Sequence, residues 1–242
     1  MNLLLSHQRK SRQAGDDGEM IQARRRFFDS GVFEPVLQTV DTLIPARAGR
    51  LCDAGCGEGT LLGRLSQWRP GDYYGLDVSK PAVKTAAKRY KQCQWLVANI
   101  MRDIPLADQS MDAVLSVLAP RNPREFARIL KPGGSLILGV PGPRHLLEVR
   151  EKLMPRLDDF GTKADEGVSQ CGDFFQEKSR RVVEYSRRLA QTELSDLARM
   201  TPLFWNTTAQ ARQALYDLPA LDVHINFVFL VLEKTGTHDD PA

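Results

Sequence analysis

The nine residues 51–59, Leu-Cys-Asp-Ala-Gly-Cys-Gly-Glu-Gly, constrain the fold of this chain more than any other stretch. They indicate a short apolar strand that ends near an acid, then a turn with glycine at alternate positions that opens a helical pattern over 60–68. Glycine lets the backbone approach a ligand closely, and a helix N-terminus offers free N–H groups to negative groups. The stretch predicts a ligand-binding turn formed by Asp53, Gly55, Gly57 and Gly59. A tight turn without a ligand is the alternative.

The glycine spacing also separates two classes of α/β protein. Dinucleotide-binding turns space their glycines G-x-G-x-x-G around a pyrophosphate, whereas this turn reads G-x-G-x-G after an aspartate. A nicotinamide-dependent oxidoreductase is therefore disfavoured.

Strand-like and helical stretches alternate beyond residue 50, which predicts an α/β, Rossmann-like fold with a seven-stranded, mostly parallel sheet and helices on both faces. Residues 144–176 are expected to form a helix and a loop. Strands are predicted at 50–54, 73–76, 94–98, 111–118, 135–140, 180–189 and 223–231, and helices at 19–30, 35–43, 60–68, 81–90, 123–130, from 192 and at 209–216.

A second acid, Asp77, ends the second predicted strand. The carboxyl ends of parallel strands share one edge, where open α/β sheets bind ligands, so Asp77 is expected beside the glycine turn. A carboxylate there can accept hydrogen bonds from both hydroxyls of a ribose. Capping of the following helix is the alternative role.

Two more polar residues follow predicted strands. Asn99 follows the third strand and offers both a donor and an acceptor, although it can equally satisfy its own loop backbone. Arg121 follows the fourth strand and either holds a phosphate or is solvated.

Charge and composition limit the partners of the chain. A net charge of +3 on 242 residues is unlike a histone-type polycation but permits a local basic surface. Each basic cluster can be a phosphate contact or only a solvated face. The clusters lie at 7–12, 24–26, 178–181 and 187–188.

The cysteines do not indicate a metal site. Cys52, Cys56, Cys93 and Cys171 include no C-x-x-C pair, so they are expected to be core thiols of a cytoplasmic protein. No apolar stretch reaches 18 residues, so no membrane span is expected.

The glycine turn and Asp77 together resemble the cofactor site of class I S-adenosylmethionine-dependent methyltransferases. The whole chain is further similar to the bacterial 23S rRNA (guanine-N1)-methyltransferases. The matching segments are His-Gln-Arg-Lys-Ser-Arg (7–12), 15–16, Glu-Met-Ile-Gln-Ala-Arg-Arg (19–25), Phe-Phe-Asp-Ser-Gly (27–31), 75–80, 86–90, 110–113, Pro-Gly-Pro-Arg-His-Leu-Leu (141–147) and Met-Thr-Pro (200–202) with Trp205.

The resemblance implies that S-adenosylmethionine is the cofactor and that Asn99 meets its adenine. It adds four cofactor contacts, although His145 can also be a helix-start histidine without a ligand. These four are Phe33, Leu61, Leu62 and His145.

The resemblance also implies an RNA substrate, a guanine in a ribosomal hairpin, and association into a homodimer. Residues 1–45 are then a basic arm and helices that serve as a substrate-binding lid, 46–234 the methyltransferase domain and 235–242 a flexible tail. The family's N-terminal zinc ribbon has no counterpart ahead of residue 7, so no metal is expected. The expected RNA contacts are Arg9, Lys10, Arg12, Arg24 and Arg25.

The catalytic base stays unassigned, with Asp16, Asp17 and Glu19 of the arm as candidates. Two alternative functions stay open at this point. One is a small-molecule methyltransferase, and the other is a non-catalytic RNA-binding or assembly factor that retains the cofactor fold.

Overall fold

The structure, a computed structural model, describes residue 1 and residues 18–154 and 160–235. Several predicted functional residues lie outside the described residues. They are Arg9, Lys10, Arg12, Asp16 and Asp17 of the arm, and all but Thr235 of the predicted tail.

The described strands are β1 (Arg50–Ala54), β2 (Asp72–Asp77), β3 (Gln94–Val97), β4 (Met111–Val117), β5 (Leu130–Pro141), β6 (Phe175–Ala190) and β7 (Ala220–Lys234). They form one sheet in the order β3-β2-β1-β4-β5-β7-β6. The first five strands are parallel, whereas β7 is antiparallel to both of its neighbours. The predicted seven-stranded, mostly parallel α/β sheet is confirmed.

Helices cover both faces of the sheet. They are α1 (Gly18–Asp29), α2 (Glu34–Leu43), α3 (Thr60–Trp68), α4 (Lys80–Arg89), α5 (Pro123–Ile129), α6 (Leu147–Leu153), α7 (Lys163–Cys171), α8 (Gln191–Arg199), α9 (Pro202–Trp205) and α10 (Ala209–Tyr216). Apolar residues of α5 and α7 pack in one core, and those of α1–α4, α6 and α8–α10 pack in the other.

The strands divide these two cores by alternation. In β4, Ala113 and Leu115 face the core beneath α1–α4, and Val114 between them faces the core beneath α5 and α7. All three are fully buried. Because successive side chains of a strand point to opposite faces, a strand buried on both sides reads as a continuous apolar run, as β4 does.

Side chains fix several helix starts. Ser79 caps α4, because its hydroxyl accepts a hydrogen bond from the Ala82 amide at 3.3 Å. Asn122 caps α5 through the Glu125 amide at 3.4 Å. The predicted start of α8 near Thr192 moves to Gln191, where the carboxylate of Glu193 accepts from the Ala190 amide at 2.9 Å.

Two local expectations were wrong. Residues 144–176, expected to hold one helix and a loop, contain both α6 and α7. Strand β5 begins at Leu130 rather than at 135, because the pairing with β4 shifts register after Leu130 and the intervening residues stay in the strand. Gly133 lies in this irregular stretch with φ +69°, a conformation that glycine adopts without strain.

Candidate functional site

The glycine turn joins β1 to α3 at the carboxyl edge of the sheet. The amides of Gly55 and Cys56 both donate to the carbonyl of Leu76, at 2.8 and 3.0 Å, which ties the turn to the end of β2. Gly59, the last residue before α3, has φ +86°. A Cβ there would lie 2.6 Å from the Cβ of Ala86, so only glycine fits this position.

Asp77 reaches the same turn from β2. One carboxylate oxygen accepts from the Gly57 amide at 2.9 Å and the other from the Ser79 amide at 2.8 Å. Asp53 and Gly55 stand at the neighbouring strand end, since β1 pairs in parallel with β2. The two acids and the glycine turn therefore share one edge, as expected, and Asp77 also braces the turn itself.

Three carboxylates gather around this turn. Asp53 is 2% exposed, and burial, together with the nearby charges of Asp77 and Glu58, raises its pKa to about 7. Burial also raises the pKa of Glu58, although hydrogen bonds from Thr60 and the charge of Arg24 oppose the rise. Crowded carboxylates favour a positive ligand, because a cation relieves their mutual repulsion.

Phe33 and His145 meet on one aromatic ring. Phe33 lies 5.8 Å from the ring of Phe227 and His145 lies 4.4 Å from it, both edge to face. Phe33 and His145 are buried, at 4% and 6% exposure. Burial and the charge of Arg150 lower the pKa of His145 to about 3, so the imidazole is neutral in the folded protein.

Sequence reasoning missed two residues that hold His145 in place. The backbone N–H of Asn226 donates to Nδ1 of His145 at 3.3 Å. The side-chain oxygen of Asn226 accepts from the backbone N–H of Arg144 at 3.2 Å. The buried guanidinium of Arg150 donates to the carbonyls of Pro143 and His145 at 3.2 and 3.3 Å. An asparagine within the apolar run of β7 was the only sequence signal for this arrangement.

The remaining expected cofactor contacts differ in accessibility. Leu61 is partly buried, whereas Leu62 has no exposed surface and belongs to the core. The Asn99 side-chain oxygen accepts from the Met101 amide at 3.0 Å, so it does satisfy its own loop.

The loop after β4 borders the glycine turn. A Cβ on Gly55 would lie 2.4 Å from the Cβ of Ala119. Leu118, next to it, is 56% exposed with φ +52°. Arg121 donates to the side chain of Gln170 at 2.9 Å and does not lie in the turn.

The described basic residues of the N-terminal helix point in different directions. Arg25 is exposed, 3.8 Å from the carboxylate of Asp29. Arg24 is partly buried, and its guanidinium lies on Gly57, where a Cβ would be 3.1 Å from Nη1.

Among the described residues, no three His, Cys, Asp or Glu side chains are grouped so that they could hold a metal ion. Within the same residues, no helix combines the length and the apolar character needed to cross a membrane.

A sheet in this strand order, with a glycine turn and acids at its carboxyl edge, defines a class I S-adenosylmethionine-dependent methyltransferase. A sequence profile described as a methyltransferase domain matches residues 52–138. Among solved structures, a SAM-dependent methyltransferase from Thermotoga maritima shares the fold with a TM-score of 0.54 and 21% identity, covering 89% of this chain and 96% of that one.

Two curated relatives identify the family. A Bacillus subtilis protein named as a candidate 23S rRNA (guanine-N1)-methyltransferase is 32% identical, with 88% of this chain and 79% of the relative covered. The 23S rRNA (guanine(748)-N1)-methyltransferase of Streptomyces fradiae is 30% identical, with 96% and 84% covered. This chain belongs to their family of methyltransferases, and S-adenosylmethionine is its methyl donor.

The residues present fit this cofactor. The acids Asp53 and Glu58 lie at the turn, where a bound sulfonium would favour their charged forms, and Asp77 stands at the strand end where ribose hydroxyls are bound in this type of fold. The guanidinium of Arg24 lies against the backbone of Gly57 in the same turn and adds a positive charge there.

Proposed function

We propose that this protein transfers a methyl group from S-adenosylmethionine to N1 of a guanine in 23S rRNA. One observation carries the proposal: similarity to relatives named for this reaction covers 88% and 96% of this chain. The similarity therefore extends well beyond the matched methyltransferase profile at 52–138, into the helices and strands that surround the cofactor edge.

Within this proposal, the cofactor lies along the carboxyl edge between the glycine turn and the Phe33–Phe227–His145 group. Asp77 binds the ribose, and the neutral imidazole of His145 and the ring of Phe33 form an uncharged wall. The proposed cofactor contacts are Phe33, Asp53, Gly55, Gly57, Gly59, Leu61, Asp77, Asn99 and His145. Leu62, also expected from the resemblance, is not among them because its side chain is fully buried in the core.

S-adenosylmethionine supplies an electrophilic methyl group, so the chain mainly has to align the acceptor with it and exclude water. Guanine N1 lies on the Watson–Crick edge, so the base must be unpaired to react, as in a hairpin loop. The proposed phosphate contacts are Arg9, Lys10, Arg12 and Arg25. Arg24 is not among them, because its guanidinium lies on the glycine turn.

The test is methyl transfer from tritiated S-adenosylmethionine to unmodified 23S rRNA transcripts, followed by primer extension. An N1 methyl group blocks base pairing, so reverse transcriptase should stop next to one guanine, and changing that guanine to adenine should abolish labelling. Labelling of small metabolites but not RNA would instead indicate a small-molecule methyltransferase. Tight cofactor binding without labelling of either would indicate a non-catalytic factor.

A further inference from the structure

Arg24 occupies a position that its sequence context does not predict. Its Nη1 lies 3.1 Å from where a Cβ on Gly57 would stand, and its Nη2 donates to the carbonyl of Met200 at 3.2 Å. Its charge opposes the rise that burial causes in the pKa of Glu58 at the same turn. Helix α1 thus places a guanidinium directly on the cofactor turn.

We propose that Arg24 binds the α-carboxylate of the methionine part of S-adenosylmethionine. A guanidinium presents a planar fork of donors that matches a carboxylate. The N-terminus of α3, which begins one residue after Gly59, adds partial positive charge on the same turn.

The surrounding charges make a cation necessary for this ligand. Asp53, Glu58 and Asp77 all lie at the turn, and they favour the sulfonium but repel a carboxylate. Arg24 provides the compensating positive charge on the side of Gly57. Arg24 would therefore offset the repulsion between these acids and the carboxylate of the ligand.

The experiment compares S-adenosylhomocysteine with 5′-methylthioadenosine, which lacks the carboxylate and the amino group, by titration calorimetry. Arg24→Met should weaken S-adenosylhomocysteine binding roughly ten- to a hundredfold, the range for losing a hydrogen bond to a charged group. Binding of 5′-methylthioadenosine should change less than about twofold, and Arg24→Lys should recover part of the loss because it keeps the charge but not the fork.

Arg26→Met is the matched control, since Arg26 is exposed on the same helix and pairs with Asp196. It should leave both affinities unchanged. Equal weakening of both ligands by Arg24→Met, or no weakening of either, would overturn the assignment. A thermal melt of each variant identifies a loss of folding. If Arg24→Met does not fold, Arg24→Lys tests the assignment instead, because it should weaken binding of S-adenosylhomocysteine more than binding of 5′-methylthioadenosine.

A second inference starts from an aromatic groove that the cofactor site does not use. The groove, of about 300 Å³, lies between α1 and the α8–α10 segment. Phe204 packs edge to face on Trp205, with 5.4 Å between ring centroids. The charged and aromatic side chains that line the groove are Glu19, Arg199, Phe204, Trp205, Arg212 and Tyr216.

The groove combines exposed aromatic surface with positive charge. Trp205 is 38% exposed, and its indole N–H donates to the Arg199 carbonyl at 2.9 Å, which fixes the ring. The guanidinium of Arg212 lies 5.5 Å from the centre of the Phe204 ring. Fixed aromatic faces flanked by guanidinium groups are the surfaces on which proteins stack unpaired bases and hold the adjoining phosphates.

The groove is also close to the cofactor turn. Glu19 lines the groove and Arg24 contacts the turn, and both belong to α1. The guanidinium of Arg24 links the two places, because its Nη1 lies against Gly57 of the turn and its Nη2 donates to the carbonyl of Met200 at 3.2 Å. Arg199, the residue before Met200, lines the groove. A strand whose reacting base lies at the cofactor can therefore extend into the groove.

The geometry points to this groove as the site of an unpaired RNA nucleotide that flanks the methylated guanine. This inference rests on the proposed RNA substrate. Base stacking on an aromatic side chain accounts for ~1–3 kcal/mol per base, so Trp205→Ala should raise the KM for RNA roughly five- to a hundredfold. The affinity for S-adenosylhomocysteine should stay unchanged, and Trp205→Phe should keep most of the RNA affinity.

Trp68→Ala is the matched control, because Trp68 is also 38% exposed and has the guanidinium of Arg64 at 5.3 Å from its ring. It should leave the KM for RNA unchanged. Equal effects of the two alanine variants, or an unchanged KM in Trp205→Ala, would overturn the groove assignment. Wild-type protein that labels no RNA would overturn the proposed function instead, so the two failures are distinguishable.

Discussion

Replacing Asp53 by asparagine should make the protein more stable at high pH. The pKa of Asp53 rises from 3.8 to about 7 on folding, because burial and the charges of Asp77 and Glu58 disfavour the carboxylate. Each pKa unit corresponds to about 1.4 kcal/mol, so ionised Asp53 costs the folded state about 4 kcal/mol, a large part of the stability of a typical domain.

The sign follows from proton linkage. Between pH 4 and 7 the folded state keeps a proton on Asp53 that the unfolded chain has lost, so stability falls as the pH rises through this range. The amide side chain of the variant cannot titrate, so the variant lacks this loss. The advantage of Asp53→Asn over wild type should therefore grow by about 4 kcal/mol between pH 4 and 8.

Urea denaturation of the two proteins at half-unit pH steps measures this difference directly. Cofactor must be absent, because a bound cation would lower the pKa of Asp53 and hide the effect. Parallel stability curves from pH 4.5 to 8 would refute the reasoning and show that Asp53 is solvated or paired in the folded protein.

Three further outcomes are expected. His145→Asn should have the opposite effect on how the free energy of unfolding depends on pH. The pKa of His145 falls from 6.5 to about 3 on folding, so wild type alone loses stability as the pH falls below about 6.5, and identical dependences would contradict this. Gly59→Ala should destabilise by ~1–3 kcal/mol more than Gly31→Ala, because both glycines have φ near +80° but only position 59 has a neighbour within 4 Å of the new Cβ; equal melting temperatures would show that the clash relaxes. Asp77→Ala should weaken S-adenosylhomocysteine binding by ~1–3 kcal/mol and also lower the melting temperature, since the Gly57 amide loses its acceptor; unchanged affinity in calorimetry would remove Asp77 from the site.

The glycine turn was predictable because it is local. Asp53 and the alternate glycines lie within nine residues, and the parallel strand pattern alone places Asp77 at the same edge. Backbone conformation and strand direction carry this information, and both are readable from short stretches.

Other parts of the site depend on contacts between distant segments. Asn226 and Arg150 hold His145 through main-chain groups, and no spacing rule connects these residues. A cluster of basic residues does not reveal which guanidinium turns inward, so Arg24 was predicted on the RNA side.

Leu61 and Leu62 differ in accessibility, which the sequence did not predict. Leu61 and Leu62 stand about 100° apart around α3, and the structure buries Leu62 completely while Leu61 stays partly accessible. The resemblance named both as cofactor contacts, and helical geometry favours Leu61 as the one that faces the cofactor.

The position of β7 has a consequence for protein synthesis. This last strand lies between β5 and β6 and carries Asn226, which anchors the backbone of the His145 turn. A nascent chain that has just completed β6 possesses the whole glycine turn but lacks the backbone N–H of Asn226, which donates to the imidazole of that histidine. The surroundings of His145 can therefore form only after translation has passed Phe227, so this part of the fold depends on the last of the described strands.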